Sequence, residues 1–262
     1  MNPFLIDEPT VISFSGGRTS AYMLYRVLEA NNGLPDESFV CFANTGKEEE
    51  ATLQFVHDCE TNWTCPISWL EFADVPGKLE VVNFETASRN GKPFDYLTTK
   101  RKYLPNPIAR FCTSELKILS IDRFMKSKGY KEYETMVGIR ADEPRRAAKM
   151  KDNKLVPLYH AGIGQQDVQS FWKAQPFDLG LAFRDGVTPL GNCDLCFLKG
   201  QKQLMSLIAD KPERALWWAQ QEEKIQGTFR KDRPKYSDMM NSAKQQTDMF
   251  DKEGSVDCFC GD

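Results

Sequence analysis

The first seventy residues alternate between short apolar runs and longer amphipathic stretches. The runs TVISFS, SFVCFANTG and PISWLEFAD each predict a short buried strand. Between them, positions 19–31 place apolar residues at helical spacing on one face, and EEEATLQFVHDCETNW predicts a second helix. Strands that alternate with helices are typical of a parallel sheet. We therefore predict an α/β, Rossmann-like fold.

The pattern is less regular in the middle of the chain. Glycine and proline, beginning with Gly91 and Pro93, interrupt positions 84–110, where we predict a loop-rich insertion. The stretch CTSELKILSIDRFMKSKG then predicts a helix, and YETMVGIR predicts a strand. Later helices are predicted for DVQSFWKAQ, QKQLMSLIADKPE and RALWWAQQEEKIQ. In the helix CTSELKILSIDRFMKSKG, the residues predicted to face inward are Leu116, Leu119 and Phe124.

Composition restricts the class of protein. The 262 residues are 41% hydrophobic and 27% charged, which is ordinary for a globular protein. A net charge of −3 argues against a protein that coats long nucleic acid, although KRKYLPNPIAR and GIRADEPRRAAKMK leave room for a local basic pocket. No apolar run is long enough for a bilayer, and the opening MNPFLIDEPT lacks a basic signal region. We expect a cytoplasmic protein with no membrane partner.

A glycine pair lies at the first strand-to-helix junction, in VISFSGGRTSAYM. Such a turn lets the backbone approach a ligand, and the helix behind it offers unpaired N–H groups and a positive dipole end. Phosphate is the usual occupant, although a tight turn without a ligand is the alternative. Neither a Walker A loop nor G-x-G-x-x-G fits, because no lysine follows and the spacing differs. The candidate phosphate-binding residues are Ser15, Gly16, Gly17, Arg18, Thr19 and Ser20, with Arg18 in the part of a Walker lysine.

A second candidate anion site follows the strand YETMVGIR. Arg140, Arg145 and Arg146 come just past its carboxyl end, the edge at which parallel sheets bind ligands. The planar guanidinium suits phosphate and sulfate oxygens. The alternative is a set of surface ion pairs with Asp142 and Glu143.

The eight cysteines form no predicted disulfide framework, because a cytosol is reducing. Cys193 and Cys196 have the C-x-x-C spacing of metal ligands. A redox dithiol is the alternative, but no thioredoxin-like βαβ unit surrounds them. We predict that Cys41, Cys59 and Cys65 are packed thiols.

Six motifs occur in one order between Thr10 and Lys199: SGG-x-x-S, FANTGKEEE, FCTSELKILSIDRFM, MVGIRADEPRRAAK, LVPLYHAGIGQQDVQSFWKAQ and GVTPLGNCDLCFLK. The first resembles the PP-loop of ATP pyrophosphatases and sulfonucleotide reductases. Together they resemble the phosphoadenosine phosphosulfate (PAPS) reductase family. The resemblance implies an adenine nucleotide alpha-hydrolase-like domain over residues 1–200, and a helical region with a cysteine-bearing tail over 201–262. We expect the polar stretch from Thr228 onward to be a flexible arm.

The resemblance also implies a nucleotide site. Backbone near Phe42 and Ala43 would meet adenine, and Arg140 would face the anionic end of the substrate. Pyrophosphatases usually carry aspartate at the position of Thr19, which weakens the case for ATP cleavage. In addition to the SGG loop, the implied nucleotide-binding residues are Phe42, Ala43, Thr45, Gly46, Gly138, Arg140 and Arg145.

Relatives of this kind hold a 4Fe–4S cluster with an adjacent cysteine pair and a C-x-x-C. Here Phe111 precedes Cys112, so one ligand of the adjacent pair is missing. The tail VDCFCGD offers a replacement. The implied ligands are Cys112, Cys193, Cys196 and either Cys258 or Cys260, with zinc as the alternative metal.

In the family, a cysteine followed by glycine near the C-terminus attacks the sulfur atom, and a thioredoxin-like reductant resolves the thiosulfonate. Cys260 precedes Gly261, but the roles of Cys258 and Cys260 as nucleophile and ligand stay open. The predicted function is therefore an oxidoreductase of the sulfonucleotide reductase type, acting on PAPS, APS or ATP.

Two alternatives remain. One is an ATP pyrophosphatase-type sulfurtransferase that modifies a nucleic acid or a small molecule. The other is a non-catalytic module that binds a nucleotide or a cluster. Nucleic acid as a partner and a homo-oligomer are both left open.

Overall fold

The computed structural model describes residues 2–150, 153–184 and 186–243. Within these ranges a six-stranded sheet has the order β4-β3-β2-β1-β5-β6. All its neighbouring strands pair in parallel except β3 and β4, which are antiparallel. The strands are β1 (Thr10–Ser13), β2 (Ser38–Asn44), β3 (Ile67–Glu71), β4 (Glu80–Val82), β5 (Glu134–Val137) and β6 (Lys154–Leu155).

Helices connect and cover these strands, and the α/β prediction is confirmed. A π-helix over Thr113–Ile118 leads directly into α4. The α-helices are α1 (Arg18–Asn31), α2 (Glu50–Asn62), α3 (Lys92–Arg101), α4 (Leu119–Ser127), α5 (Pro144–Ala147), α6 (Pro157–His160), α7 (Gln165–Lys173), α8 (Gln201–Asp210), α9 (Arg214–Ile225) and α10 (Tyr236–Ala243).

The sheet separates two apolar layers. Because successive strand residues face opposite sides, Val40 and Phe42 of β2 join the core with α1 and α2, while Phe39 and Cys41 join the layer beneath α4. The α4 layer is the smaller of the two. Helix α4 contacts β2 and β3. This arrangement places the carboxyl ends of β1, β2 and β5 side by side.

The predicted loop-rich insertion at 84–110 contains a helix, which corrects that prediction. Gly91 has a left-handed φ of +78° and immediately precedes α3, and Pro93 lies in its first turn. Proline is tolerated there because no intrahelical partner is needed for its missing N–H. Phe94 and Leu97 of this helix are buried in a second hydrophobic cluster.

The second hydrophobic cluster extends across the predicted domain boundary at residue 200. It joins α3 and the segment around Cys193 to α8, α9 and α10. Phe229, Tyr236 and Met239 are buried in it, so the stretch from Thr228 to 243 packs against α8 and α9 rather than forming a flexible arm. The aromatic side chains of Phe229 and Tyr236 anchor this stretch.

The π-helix explains a second error. Leu116 and Phe124 are buried as predicted, but Leu119 is exposed. A π-turn contains about one residue more than an α-turn, so Leu119, which directly follows the π-helix, is displaced from the buried face of Leu116. Among the described residues, no helix combines the length and apolar character that a bilayer crossing needs.

Candidate active site

The SGG bend joins β1 to α1. Gly16 has a φ of +78°, and a Cβ there would lie 2.7 Å from the Thr52 methyl group and 3.2 Å from the Phe42 ring. Glycine is therefore required both by backbone conformation and by space. Gly17 is the N-cap of α1, and as a glycine it has no side chain with which to cap the N–H groups of the first turn. These N–H groups and the helix dipole form an anion-binding end.

Two serines give the bend its shape. The Ser20 hydroxyl accepts a hydrogen bond from the Ser15 N–H at 3.2 Å and donates to the Gly17 carbonyl at 3.0 Å. The two hydroxyl oxygens are 2.9 Å apart. Gly138 backs this arrangement, because a Cβ there would lie 3.0 Å from the Ser20 Cα. Both serines and Gly138, all predicted as site residues, thus support the bend.

A cavity of about 230 Å³ opens at this bend, and we name it the anion cavity. Its wall combines the loop from Ser15 to Thr19 with basic side chains from distant parts of the chain. Among the lining residues are Ser15, Gly16, Gly17, Arg18, Thr19, Arg140, Glu143, Arg146 and Cys196.

Arg18 is partly compensated. Its guanidinium donates to both carboxylate oxygens of Asp178, at 2.7 and 2.5 Å, and to the Leu181 carbonyl at 3.0 Å. Burial raises the pKa of Asp178, but the hydrogen bonds and charge of Arg18, together with the backbone N–H groups of Leu179 and Gly180, hold that pKa below its ordinary value. The Nη1 atom of Arg18 is buried without a hydrogen-bond partner among the described residues.

Of the three arginines that follow β5, two line the anion cavity and one does not. Arg140 lines the anion cavity, donates to the Thr19 hydroxyl at 3.2 Å and pairs with Asp142 at 3.0 Å. The ion-pair alternative therefore coexists with a place in the cavity wall. Arg146 also lines the cavity. Its Nη1 pairs with Glu143 at 2.5 Å, while its Nε is buried without a partner in the described chain.

Arg145, predicted to bind phosphate, is exposed and lines neither the anion cavity nor the cavities described next. The short helix α5 explains the difference. Neighbouring helical residues are about 100° apart around the axis, so only one of two adjacent arginines faces the site. That residue is Arg146.

A larger cavity of about 460 Å³ lies between β1, β2, β5 and the π-helix, and we name it the sheet cavity. Ser15 and Arg146 line both this cavity and the anion cavity, so the two adjoin. Ala43 lines it, whereas the Phe42 ring faces the opposite layer and packs on the Trp69 ring, with 5.0 Å between ring centroids.

The sheet cavity is basic within an acidic protein. Its described lining includes no aspartate or glutamate. Apolar side chains such as Ile121 and Val137 form much of the wall. Its basic residues are Lys117, Arg146, Lys149 and Lys154.

Three predicted metal ligands meet at a third, small cavity of about 20 Å³, which we name the thiol cavity. Cys112, Cys193 and Cys196 all line it, although Cys112 is distant from the other two in sequence. Cys196 also lines the anion cavity, and Lys117 also lines the sheet cavity. The three cavities are therefore neighbours.

Burial dominates the electrostatics of Cys193. It raises the pKa of this thiol well above the ordinary value, and Glu48 raises it further, while Lys117 and the Thr45 hydroxyl act in the opposite direction. The Thr45 oxygen is 3.4 Å from the Cys193 sulfur. Gly46 packs on the Gly91 backbone. Thr45, predicted to bind nucleotide, therefore faces the thiol cavity, and Gly46 supports the same loop.

Within the described ranges, no group of three or more histidine, cysteine, aspartate or glutamate side chains is already arranged around one ion position. Cys258 and Cys260 lie outside the described residues, so the choice between them as ligand and nucleophile stays a prediction.

The remaining cysteines are packed thiols, as predicted. Cys41, Cys59 and Cys65 are buried, and burial raises the pKa of all three, that of Cys65 to about 12. Such thiols are unreactive at neutral pH.

Two residues of the site were missed. Lys117 lies five positions after Cys112 in CTSELK, and nothing in the sequence distinguishes it from the two other lysines of the predicted helix. Lys47 forms a buried ion pair with Asp194, between the two cysteines of the C-x-x-C motif. No local pattern announces a pair so far apart.

Comparison with known proteins shows a related protein but assigns no activity to it. No protein-family model matches the chain. It is 32% identical over 217 residues to the uncharacterized nin region protein ORF290 of Escherichia phage lambda, an alignment that covers 79% of this chain and 71% of the phage protein. This chain therefore belongs to the family of the phage lambda nin region protein ORF290.

Proposed function

We propose that this chain is an enzyme of the PAPS reductase type. It binds an adenine nucleotide with its anionic end at the SGG bend and carries out thiol- and iron–sulfur-dependent chemistry on sulfur. The observation that carries the proposal is the shared wall of the anion and thiol cavities. Cys196 belongs to both, so an anion held at Gly16 and Gly17 lies beside a cysteine cluster.

Unsatisfied donors support an anionic ligand. A buried N–H without a hydrogen bond is costly, and more so on a charged group. Arg18 Nη1 and Arg146 Nε are two such donors in the described chain, and both residues line the anion cavity. A phosphate or sulfate oxygen would satisfy them, together with the amides of the first turn of α1.

The sheet cavity supports the nucleoside part of the proposal. It adjoins the anion cavity at Ser15 and has apolar walls suited to a planar base. Lys149 and Lys154 add positive charge at this cavity. Their presence favours a nucleotide with a further phosphate on the ribose, as in PAPS, over APS.

The residue types at the thiol cavity are those that bind a metal through thiolates. Cys112, Cys193 and Cys196 line one small cavity, and a tail cysteine would complete four ligands. Sulfur donors suit both iron–sulfur clusters and zinc. A bound cluster would supply redox-active iron next to the anion cavity.

The reaction implied by the family resemblance is a sulfonyl transfer. A tail thiolate, Cys258 or Cys260, attacks the sulfate sulfur, the bond from sulfur to the phosphate oxygen breaks, and the nucleotide leaves as a phosphate anion. A dithiol reductant then displaces sulfite from the cysteine and becomes a disulfide, which supplies the two electrons. In this scheme Arg140 and Arg146 hold the anionic end of the nucleotide.

The test measures sulfite. Full-length chain purified without oxygen is incubated with PAPS or APS, thioredoxin, thioredoxin reductase and NADPH, and its iron is assayed in parallel. We expect sulfite release that is lost in the Cys258→Ser or the Cys260→Ser variant, whichever carries the nucleophile. Absence of sulfite from both nucleotides contradicts the proposal. Pyrophosphate release from ATP in the presence of a nucleic acid would instead indicate the sulfurtransferase.

A further inference from the structure

Lys47 and Trp218, which lie outside the Cys193–Cys196 turn, bind Asp194 within it. Asp194 is 6% exposed, and its N–H donates to the Lys47 carbonyl at 2.7 Å. Its carboxylate accepts hydrogen bonds from Trp218 Nε1 at 2.8 Å and from the Leu195 N–H at 2.7 Å. The Lys47 ammonium completes the set at 3.0 Å.

The loop of residues 45–48, which contains Lys47, also contacts Cys193. Residues Glu48 and Cys193 pair as an isolated antiparallel β-bridge. The Glu48 carboxylate accepts from the N–H and the hydroxyl of Thr45, both at 2.9 Å. The Thr45 oxygen in turn lies 3.4 Å from the Cys193 sulfur. The loop 45–48 therefore contacts both ends of the Cys193–Asp194 peptide.

Stability alone is a poor reason for this arrangement. Lys47 and Asp194 both have largely buried side chains, and a buried ion pair is often no more stabilising than an apolar pair of the same size. What such a pair does provide is one defined geometry. Around metal ligands, outer groups of this kind orient the ligating side chains.

We propose that Lys47, Asp194 and Trp218 are positioning residues, which hold the Cys193–Cys196 turn in the conformation that presents both sulfurs to the thiol cavity. The inference rests on the proposed function, in which this turn supplies two ligands. It reassigns the Thr-Gly-Lys-Glu loop after β2 from nucleotide contact to support of the thiols. Because Ala43 of the same strand lines the sheet cavity, the loop also links that cavity to the thiol cavity.

The test compares full-length variants purified without oxygen. Lys47→Met and Asp194→Asn remove the ion pair, Trp218→Phe removes one hydrogen bond, and Lys47→Arg preserves the charge. Two quantities are measured: iron and zinc per chain, and the rate at which iodoacetamide alkylates each cysteine, followed by peptide mass spectrometry. The second readout needs no bound metal.

We expect Lys47→Met and Asp194→Asn to lose at least threefold in metal content and to gain at least threefold in alkylation rate at Cys193 and Cys196. Lys47→Arg should stay within twofold of the wild type, and Trp218→Phe should fall between. The buried thiols Cys59 and Cys65 are the internal reference, because global unfolding would expose them too.

Lys224→Met is the matched control, since it removes an ion pair between α9 and α3 at Asp95 without touching the turn. Unchanged metal content and alkylation in both Lys47→Met and Asp194→Asn overturn the proposal, as does an equal rise at Cys59 and Cys65. If Lys47→Met does not fold, Asp194→Asn decides by the same criteria. A wild type without metal contradicts the proposed cluster, while the alkylation rates still decide the positioning role.

Discussion

The SGG bend and the Cys193–Cys196 turn are neighbouring parts of one site built in opposite ways. The bend is made of backbone: consecutive residues between β1 and α1 supply its donors, and Gly16 is required by φ and by space. The turn depends on side chains from elsewhere, with Lys47 and Trp218 holding Asp194. A contiguous stretch encodes the first, and only the folded chain assembles the second.

This difference has a practical consequence. Substitutions that change the local backbone should disrupt the bend, independently of the packing of the second hydrophobic cluster. Damage to the turn should follow from any change that moves α9 or the loop after β2.

Gly16→Ala should have the largest effect on the bend. The alanine Cβ would lie 2.7 Å from the Thr52 methyl group, and alanine would have to adopt the left-handed φ of Gly16. Together these cost on the order of 1–3 kcal/mol in the free energy of unfolding. We expect nucleotide affinity to fall by about a hundredfold because the amides move. Gly77→Ala is the control, since its φ of +85° is similar but no atom lies within 4 Å of the added Cβ. Equal affinity loss in both variants would refute the role of crowding at the bend.

Arg146→Gln should weaken binding of PAPS or APS by about tenfold, the effect of one charge-assisted hydrogen bond. Arg145→Gln is the matched control on the next residue and should leave affinity unchanged, because Arg145 is exposed. Isothermal titration of both variants measures the difference. A larger loss for Arg145→Gln would return the anion contact to the residue predicted from sequence.

Lys149→Gln and Lys154→Gln sharpen the nucleoside side of the site. Wild-type chain should bind adenosine 3′,5′-bisphosphate several-fold more tightly than adenosine 5′-monophosphate, because the sheet cavity is basic and its described lining has no carboxylate. The double variant should lose that preference while keeping its affinity for the monophosphate. Equal affinity of the wild type for both nucleotides would refute a second phosphate site.

Asp178→Asn should have the smallest effect, and one that depends on pH. The folded-state pKa of Asp178 lies below its ordinary value, so its pairing with Arg18 stabilises the fold above about pH 4 and is lost as pH falls through the folded pKa. The carboxylate is 41% exposed, so water screens the pair. We expect the Tm of the variant to be lower by about 2 °C at pH 7, with the difference narrowing as the pH falls below about 4. A constant difference across this range would contradict the assignment.

Sequence reasoning reached the bend because its signal is local: an apolar run, two glycines and a helix are adjacent. It reached the three thiols only by joining Cys112 to a distant C-x-x-C through family resemblance. It named all three arginines after β5 as anion candidates but put Arg145 and not Arg146 in the implied nucleotide-binding set, because the phase of a one-turn helix is not visible in a charged stretch. It missed the Lys47–Asp194 pair and the packing of α10, since both depend on contacts between distant segments.

The most direct test of the account is a crystal structure of the chain with adenosine 5′-phosphosulfate or its 3′-phosphorylated form, grown without reductant. We predict density for the phosphate at the amides after Gly16 and Gly17, the sulfate next to Arg146 and Cys196, and the base in the sheet cavity. A nucleotide bound elsewhere, or an anion cavity that stays without nucleotide at saturating concentration, would contradict the account.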